Sequence, residues 1–173
     1  AALEITIVGP ELDFEGAAVL AITGPDLSPA INGQSVPIWT TLAIQAGSRL
    51  TFGRRRTGAR SYIAVAGTLD IPSTWGSRST HISSGTGGFN GRALLADDVL
   101  RVNVDQRERP LIGAMLAADS CPLYVNAPTL RVISGPQHAN AAALSILTAT
   151  PYRLTSQSNR KGYRLEGQRL HED

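Results

Sequence analysis

The longest unbroken apolar run in this chain is six residues, at positions 17–22. That ceiling falls far short of the roughly 18 residues a membrane helix needs, and it matches the length of an ordinary strand, about five or six residues. The other apolar residues also come in short, interrupted stretches. Leu3, Ile5 and Ile7 alternate with Glu4 and Thr6, the period of two of a half-buried strand. Gly9-Pro10 ends that stretch, and Gly24-Pro25-Asp26 ends the run at 17–22. Asn32-Gly33, both tolerant of positive φ, separates Ala30-Ile31 from residues 34–39 and predicts a hairpin turn. Short apolar runs at 42–44, 50–52 and 62–66 follow. Strands of this length and spacing predict a mainly β domain, a barrel or a sandwich.

From 67 to 98 the character changes to Gly, Ser, Thr and Arg, with Ser83-Ser84-Gly85-Thr86-Gly87-Gly88 at the centre. This predicts a long loop, and loops of such length in compact domains tend to carry function. Residues 99–104 return to alternation, with Val99, Arg101 and Asn103 on one side and Leu100, Val102 and Val104 on the other. Residues 105–110 read as a charged turn. One short helix is expected at 140–147, rich in Ala and Leu and stopped by Pro151. Short strands are expected again at 152–156 and 163–165. Leu3 to Ile7 with Gly9-Pro10-Glu11 has a counterpart in Leu130-Arg131-Val132-Ile133-Ser134-Gly135-Pro136-Gln137. The order of branched strand, Gly-Pro turn and polar residue suggests two related β domains. Residues 1–127 would be most of the first and 128–173 the opening part of the second.

The net charge of +2 conceals a segregation of 15 Arg and one Lys. Residues 1–48 carry five acids and no base, whereas residues 49–60 carry five Arg and no acid. The Arg54-Arg55-Arg56 run has the charge to neutralise phosphates. Aromatics make up only 5% of the chain and none interleaves with that run for base stacking. The adjacent acidic segment can absorb the excess, so no nucleic-acid partner is expected. The single Cys121 excludes an internal disulfide and points to a reducing, cytoplasmic setting. Followed by Pro122, it reads as a small buried thiol. His81, His138 and His171 are scattered and have no Cys partners, so no metal site is expected.

Arg78-Ser79-Thr80 offers a guanidinium fork and two hydroxyls, which suit a carboxylate, carbamate or phosphate oxygen. The plainer reading is that Arg78 ties the loop to backbone carbonyls while the hydroxyls cap turns. Residues 85–91 can turn backbone N–H groups toward an anion. They lack the GxGxxG order and a following helix, which excludes a dinucleotide fold or a P-loop. Arg160, Lys161 and Arg164 with Tyr163 form a second basic cluster, with Glu166 as an internal partner; a solvated strand face explains them as well. His81 with Ser83 or Ser84 has the residue types of a nucleophile and its base, without the nucleophile-elbow pattern.

Gly53-Arg54-Arg55-Arg56-Thr57-Gly58-Ala59-Arg60-Ser61-Tyr62, Gly76-Ser77-Arg78-Ser79-Thr80 and Gly87-Gly88-Phe89-Asn90-Gly91-Arg92 occur in that order. With Gly135-Pro136-Gln137 and Ser158-Asn159-Arg160-Lys161-Gly162-Tyr163-Arg164, they closely resemble the allophanate hydrolase subunit 2 or carboxyltransferase-domain family. That family includes the C component of 5-oxoprolinase, the Kip antagonist protein and the carboxyltransferase domain of urea carboxylase. Against its pattern, His81 stands where Tyr is common, Asp97-Asp98 where Gly-Asp is usual, and Lys161 and Gln168 where Met and Pro are expected.

The resemblance implies a cyclophilin-like β-barrel followed by the start of a second, related β domain. It also implies a subunit of an ATP-dependent 5-oxoprolinase that opens the lactam of 5-oxoproline to glutamate, working with a subunit 1-type partner in a hetero-oligomer. Two alternatives stay open. One is carboxyl transfer from carboxybiotin to urea or a related amide; the other is a non-enzymatic regulator that binds a kinase-inhibitor partner. Arg78, Ser79, Thr80, Arg92, Arg160 and Arg164 are the candidates for binding the substrate or an anion, and no catalytic residue is assigned.

By the family pattern the chain is expected to be truncated at both ends, which leaves strand edges unpaired. It should then aggregate, or unfold at lower denaturant than a longer form. A sharp, reversible unfolding transition of a monomer, followed by circular dichroism and sedimentation, would count against truncation.

Overall fold

The computed structural model describes residues 2–104, 110–133, 141–159 and 162–170. The chain divides into two compact units, Ala1–Pro128 and Thr129–Asp173.

The first unit begins with β1 (Ala2–Thr6), β2 (Leu12–Asp13), β3 (Ala18–Thr23), β4 (Pro29–Ile31) and β5 (Gln34–Ser35). It continues with β6 (Thr41–Ile44), β7 (Arg49–Phe52), β8 (Arg60–Val65), β9 (Thr68–Leu69) and β10 (Val102–Asn103). Eight of these pair antiparallel as two four-stranded sheets, in the orders β1-β8-β3-β6 and β2-β7-β4-β5. The mainly β class is therefore as the alternating pattern predicts. Asn32 at φ 50° and Gly33 at φ 79° form the expected hairpin turn, with Ile31 opposite Gln34. Positive φ at both turn residues matches the twist of the flanking strands.

Register places the alternating residues on one inner face. Ile63 of β8 lies opposite Leu3 of β1 and Ile22 of β3, while Leu20 lies opposite Val65 and Leu42. On the other sheet, Leu50 of β7 pairs with Leu12 and Ile31. Ile5, Leu20, Ile22, Leu27, Ile44, Leu50 and Ile63 form one buried cluster to which both sheets contribute. Ser61 is fully buried inside it, and its hydroxyl donates to the Pro25 carbonyl at 2.6 Å. That bond offsets the cost of removing the hydroxyl from water.

The charge split resolves across the same strands. Arg49 donates from Nε and Nη2 to both oxygens of Asp13, at 2.6 and 2.9 Å, directly across the β2–β7 pair. Arg56 reaches Asp26 at 3.3 Å and Arg60 reaches Glu4 at 3.6 Å. The basic run at 49–60 thus meets the acids of the first 48 residues, as the charge arithmetic anticipates.

Two expectations are corrected. Ile7 takes φ 63°, leaves the strand at Thr6 and is exposed. Of residues 99–104 only Val102–Asn103 is strand, paired with Leu69 and Thr68 in a ladder of two residues. Val99 and Val104 face solvent. Residues 105–109 of the charged turn lie outside the described residues.

In the second unit, α1 (Ala141–Ala149) is the expected helix, and β11 (Arg153–Leu154) and β12 (Leu165–Glu166) pair antiparallel. The helix stops before Thr150-Pro151 because proline disfavours helical backbone in the residue preceding it. Both strands are shorter than the apolar stretches predict. The repeat's Leu130-Arg131-Val132-Ile133 is not a strand, and its three apolar side chains are exposed. Gly135-Pro136 lies outside the described residues.

Leu50→Ala empties a fully enclosed position where both sheets meet, and deletions of this kind cost about 2–5 kcal/mol. Urea unfolding followed by far-ultraviolet circular dichroism should show a correspondingly lower midpoint, with the slope unchanged.

Candidate functional site in the glycine-rich loop

The ribbon of β9 and β10 closes the base of a long excursion, and the Asp70 N–H extends it by donating to the Arg101 carbonyl at 2.8 Å. Leu69, buried, anchors this base. Above it, Thr74 and Ser77 exchange backbone hydrogen bonds at 2.8 and 3.0 Å. Arg78 donates from Nε to the Ile71 carbonyl at 3.1 Å, and the Ser79 N–H donates to Ser77 Oγ at 3.1 Å. The loop-tying contact weighed from the sequence for Arg78 is thus present.

The glycines determine how the loop folds back. Gly87, at φ 68°, sits so close to the Ser79 carbonyl oxygen that a Cβ would stand 2.6 Å from it. A Cβ on Gly88 would overlap Thr80 Oγ1, and one on Gly91 would overlap the Gly85 carbonyl oxygen. Only residues without a side chain allow these approaches. The glycine-rich stretch is therefore laid against Ser79 and Thr80, bringing two of the candidate residues and the loop centre together, while Arg78 is turned to the Ile71 carbonyl.

Arg92, the fourth, is committed internally. Its Nη1 and Nη2 donate to Asp98 Oδ2 and Oδ1 at 2.7 and 2.8 Å, and its guanidinium carbon lies 5.4 Å from the centre of the Phe89 ring. Asp98 Oδ2 also accepts from the Leu95 N–H at 2.7 Å. Donation from Arg92, with help from that N–H, pulls the Asp98 carboxyl down to about 2.

The sequence reading left Asp98 without a role. The one signal available was the resemblance itself, in which a Gly-Asp pair is usual at 97–98. Asp97 takes φ 68°, where glycine is unstrained and aspartate is among the better-tolerated side chains.

His81 sits at the start of a single 3-10 turn, Ile82–Ser84, capped by Gly85 at φ 65°. Its Nδ1 is 2.5 Å from Ser84 Oγ and its Nε2 is 3.3 Å from Ser83 Oγ, while Ser84 Oγ is 2.6 Å from Thr86 Oγ1.

Arg164 belongs to the second unit, where the β11–β12 hairpin holds it. Its N–H donates to Ser158 Oγ and its carbonyl accepts from the Thr155 N–H, both at 2.9 Å. It borders an open depression with Thr155, Glu166 and Arg169. Arg160 and Lys161 lie outside the described residues. Among the described residues no cluster of His, Cys, Asp and Glu is placed to hold a metal, and no helix is long and apolar enough to cross a membrane.

Two antiparallel sheets over one core, carrying a long glycine-folded loop with arginines and hydroxyls, define the class of this protein. The chain belongs to the carboxyltransferase domain, subdomain A and B, family, whose model matches residues 1–173. It is 35% identical over 171 residues to the C component of 5-oxoprolinase from Escherichia coli, covering 98% of this chain and 53% of the relative. It is 31% identical to a putative urea carboxylase of Emericella nidulans, covering 95% of this chain and 14% of that protein. The crystal structure of K. lactis urea amidolyase superposes with a TM-score of 0.74 at 30% identity, covering 96% of this chain and 11% of that one. The chain spans about half the length of the 5-oxoprolinase components it matches.

The Asp98 carboxyl titrates lower in the folded chain than the ordinary value near 3.9. Its contribution to stability is complete above about pH 4 and is lost as the pH falls toward about 2. Asp98→Asn should therefore flatten the fall of the thermal midpoint between those two pH values, measured by calorimetry against the parent chain.

Proposed function

We propose that this chain serves an ATP-dependent 5-oxoprolinase, acting with partner subunits, a subunit 1-type protein among them, to convert 5-oxoproline to glutamate. One observation carries the reading: the 35% identity to the C component of 5-oxoprolinase extends over 98% of the chain, including the whole glycine-rich loop. In this reading Arg78, Ser79 and Thr80 of the first unit supply positive charge and hydroxyl donors for the carboxylate of the lactam substrate, while Arg160 and Arg164 remain candidates for an anion within the second unit by itself. Paired donors of this kind suit a carboxylate's two oxygens. Arg92 acts through Asp98 and shapes the loop.

The glycine-rich loop does not fit a nucleotide's phosphates. The N–H groups of Gly85, Thr86, Gly91 and Arg92 already donate to carbonyls within the loop, and among the described residues no helix directly follows the loop to add its N-terminal N–H groups. The ATP of the proposed reaction is therefore assigned to the partner subunits.

The likeness to urea amidolyase favours a second reading, in which the same fold accepts a carboxyl group from carboxybiotin and passes it to urea. Reconstitution with the partner subunits separates the two. Glutamate released from 5-oxoproline only when ATP is present supports the first reading, and an Arg78→Ala variant should lower that rate by at least tenfold. No glutamate, with urea-dependent consumption of carboxybiotin, would replace it with the second.

A further inference from the structure

We propose that Ser84 is an activated nucleophile with His81 as its base, and that this loop carries an acyl-transfer activity toward small activated esters. The proposal stands apart from the 5-oxoprolinase reading, since it needs neither ATP nor a partner.

Of the proton arrangements these distances allow, one leaves the His81 ring as an acceptor toward Ser84. If Nε2–H of neutral His81 donates to Ser83 Oγ, at 3.3 Å, then Nδ1 is left as an acceptor. In that arrangement Ser84 Oγ–H donates to Nδ1 at 2.5 Å in preference to the His81 carbonyl oxygen at 3.3 Å, and the Thr86 hydroxyl donates to Ser84 Oγ at 2.6 Å. A nucleophile bonded to a base, with the base oriented by a third group, is the arrangement that activates serine. The backbone holds the parts in place. His81 and Thr86 form a β-bridge, the N–H of His81 donating at 2.8 Å and that of Thr86 at 3.3 Å, around the 3-10 turn. His81, Ser83 and Ser84 are exposed, so a small ester can reach Ser84 Oγ.

The step balances without a redox partner. Ser84 Oγ bonds to the acyl carbon, its proton passes to His81 Nδ1, and the ester's alkoxide or phenoxide leaves with that proton, directly or by way of water, so that His81 is neutral again. Water then attacks the acyl-serine, one of its protons passing through His81 to Ser84 Oγ while its hydroxyl stays on the acyl group, which leaves as the carboxylic acid. The N–H groups of Ser84 and Thr86 are already bonded to the His81 carbonyl, and that of Gly85 to the Ile82 carbonyl. The developing oxyanion is therefore left to water, and the acceleration is that of the base alone, about 10²- to 10⁴-fold.

The test treats the whole chain with p-nitrophenyl acetate, follows nitrophenolate release and locates the acetyl group by peptide mass spectrometry. The expected result is acetylation at Ser84, lost in Ser84→Ala. The rate should fall at least about 100-fold in His81→Tyr, which places at 81 the residue common in the family pattern. Ser83→Ala should slow it severalfold, since the ring loses its orienting partner. Circular dichroism of each variant checks that the fold is retained. Acetyl found elsewhere, or an unchanged rate in Ser84→Ala or His81→Tyr, would overturn the proposal.

Discussion

The apolar contact between the two four-stranded sheets is the constraint from which the rest of the first unit follows. Leu20, Ile22 and Ile63 on one sheet and Leu50 on the other are each at most 1% exposed. Because side chains alternate along a strand, burying these residues determines the facing of every other residue on β3, β7 and β8. A slip of one residue would bury Arg60 and Tyr62 and expose Ser61 and Ile63. The buried Ser61 hydroxyl, bonded to Pro25, ties the turn after β3 to the start of β8. The Arg54-Arg55-Arg56 segment is then held close to the same turn, its Arg56 N–H donating to the Asp26 carbonyl at 2.9 Å.

The ion pairs follow from that register and do not cause it. Arg49 and Asp13 are opposed across β2 and β7 and both are more than half exposed, so the pair adds little net stability. Its effect is on matching: the basic stretch sits against acids of its own domain, lowering the local field that clustered guanidinium groups would otherwise produce.

The glycine-rich loop rests on different physics. It buries little apolar surface and is shaped by left-handed backbone at Gly85, Gly87, Gly88, Asn90 and Gly91. Compactness comes from close backbone approach, with the Arg92–Asp98 pair and the Phe89 ring bracing its far side. Such a loop can hold hydroxyls and guanidinium groups at the surface without a core beneath each of them. It also places His81 against Ser83 and Ser84, three neighbours in sequence whose side chains meet only because a single 3-10 turn ends at Gly85.

Alternation, turn residues and charge segregation were enough, in the sequence alone, to mark most strands of the two four-stranded sheets, the Asn32-Gly33 hairpin, the helix before Pro151 and an acidic segment able to absorb the basic run. All are local signals, or sums of charge that need no coordinates. The two-residue β2 and the end of β5 at Ser35 were not marked. The tertiary structure decided what depends on how the chain folds back on itself. It limited the strand expected at 99–104 to the two residues that pair with β9. It exposed Leu130, Val132 and Ile133 despite their strand-like spacing, and it committed Arg92 to Asp98. A strand's length is set by the hydrogen-bonding groups of a neighbour elsewhere in the chain, and an arginine's partner by the turn that brings a carboxylate back to it, here from six residues on; neither can be read from residue types alone.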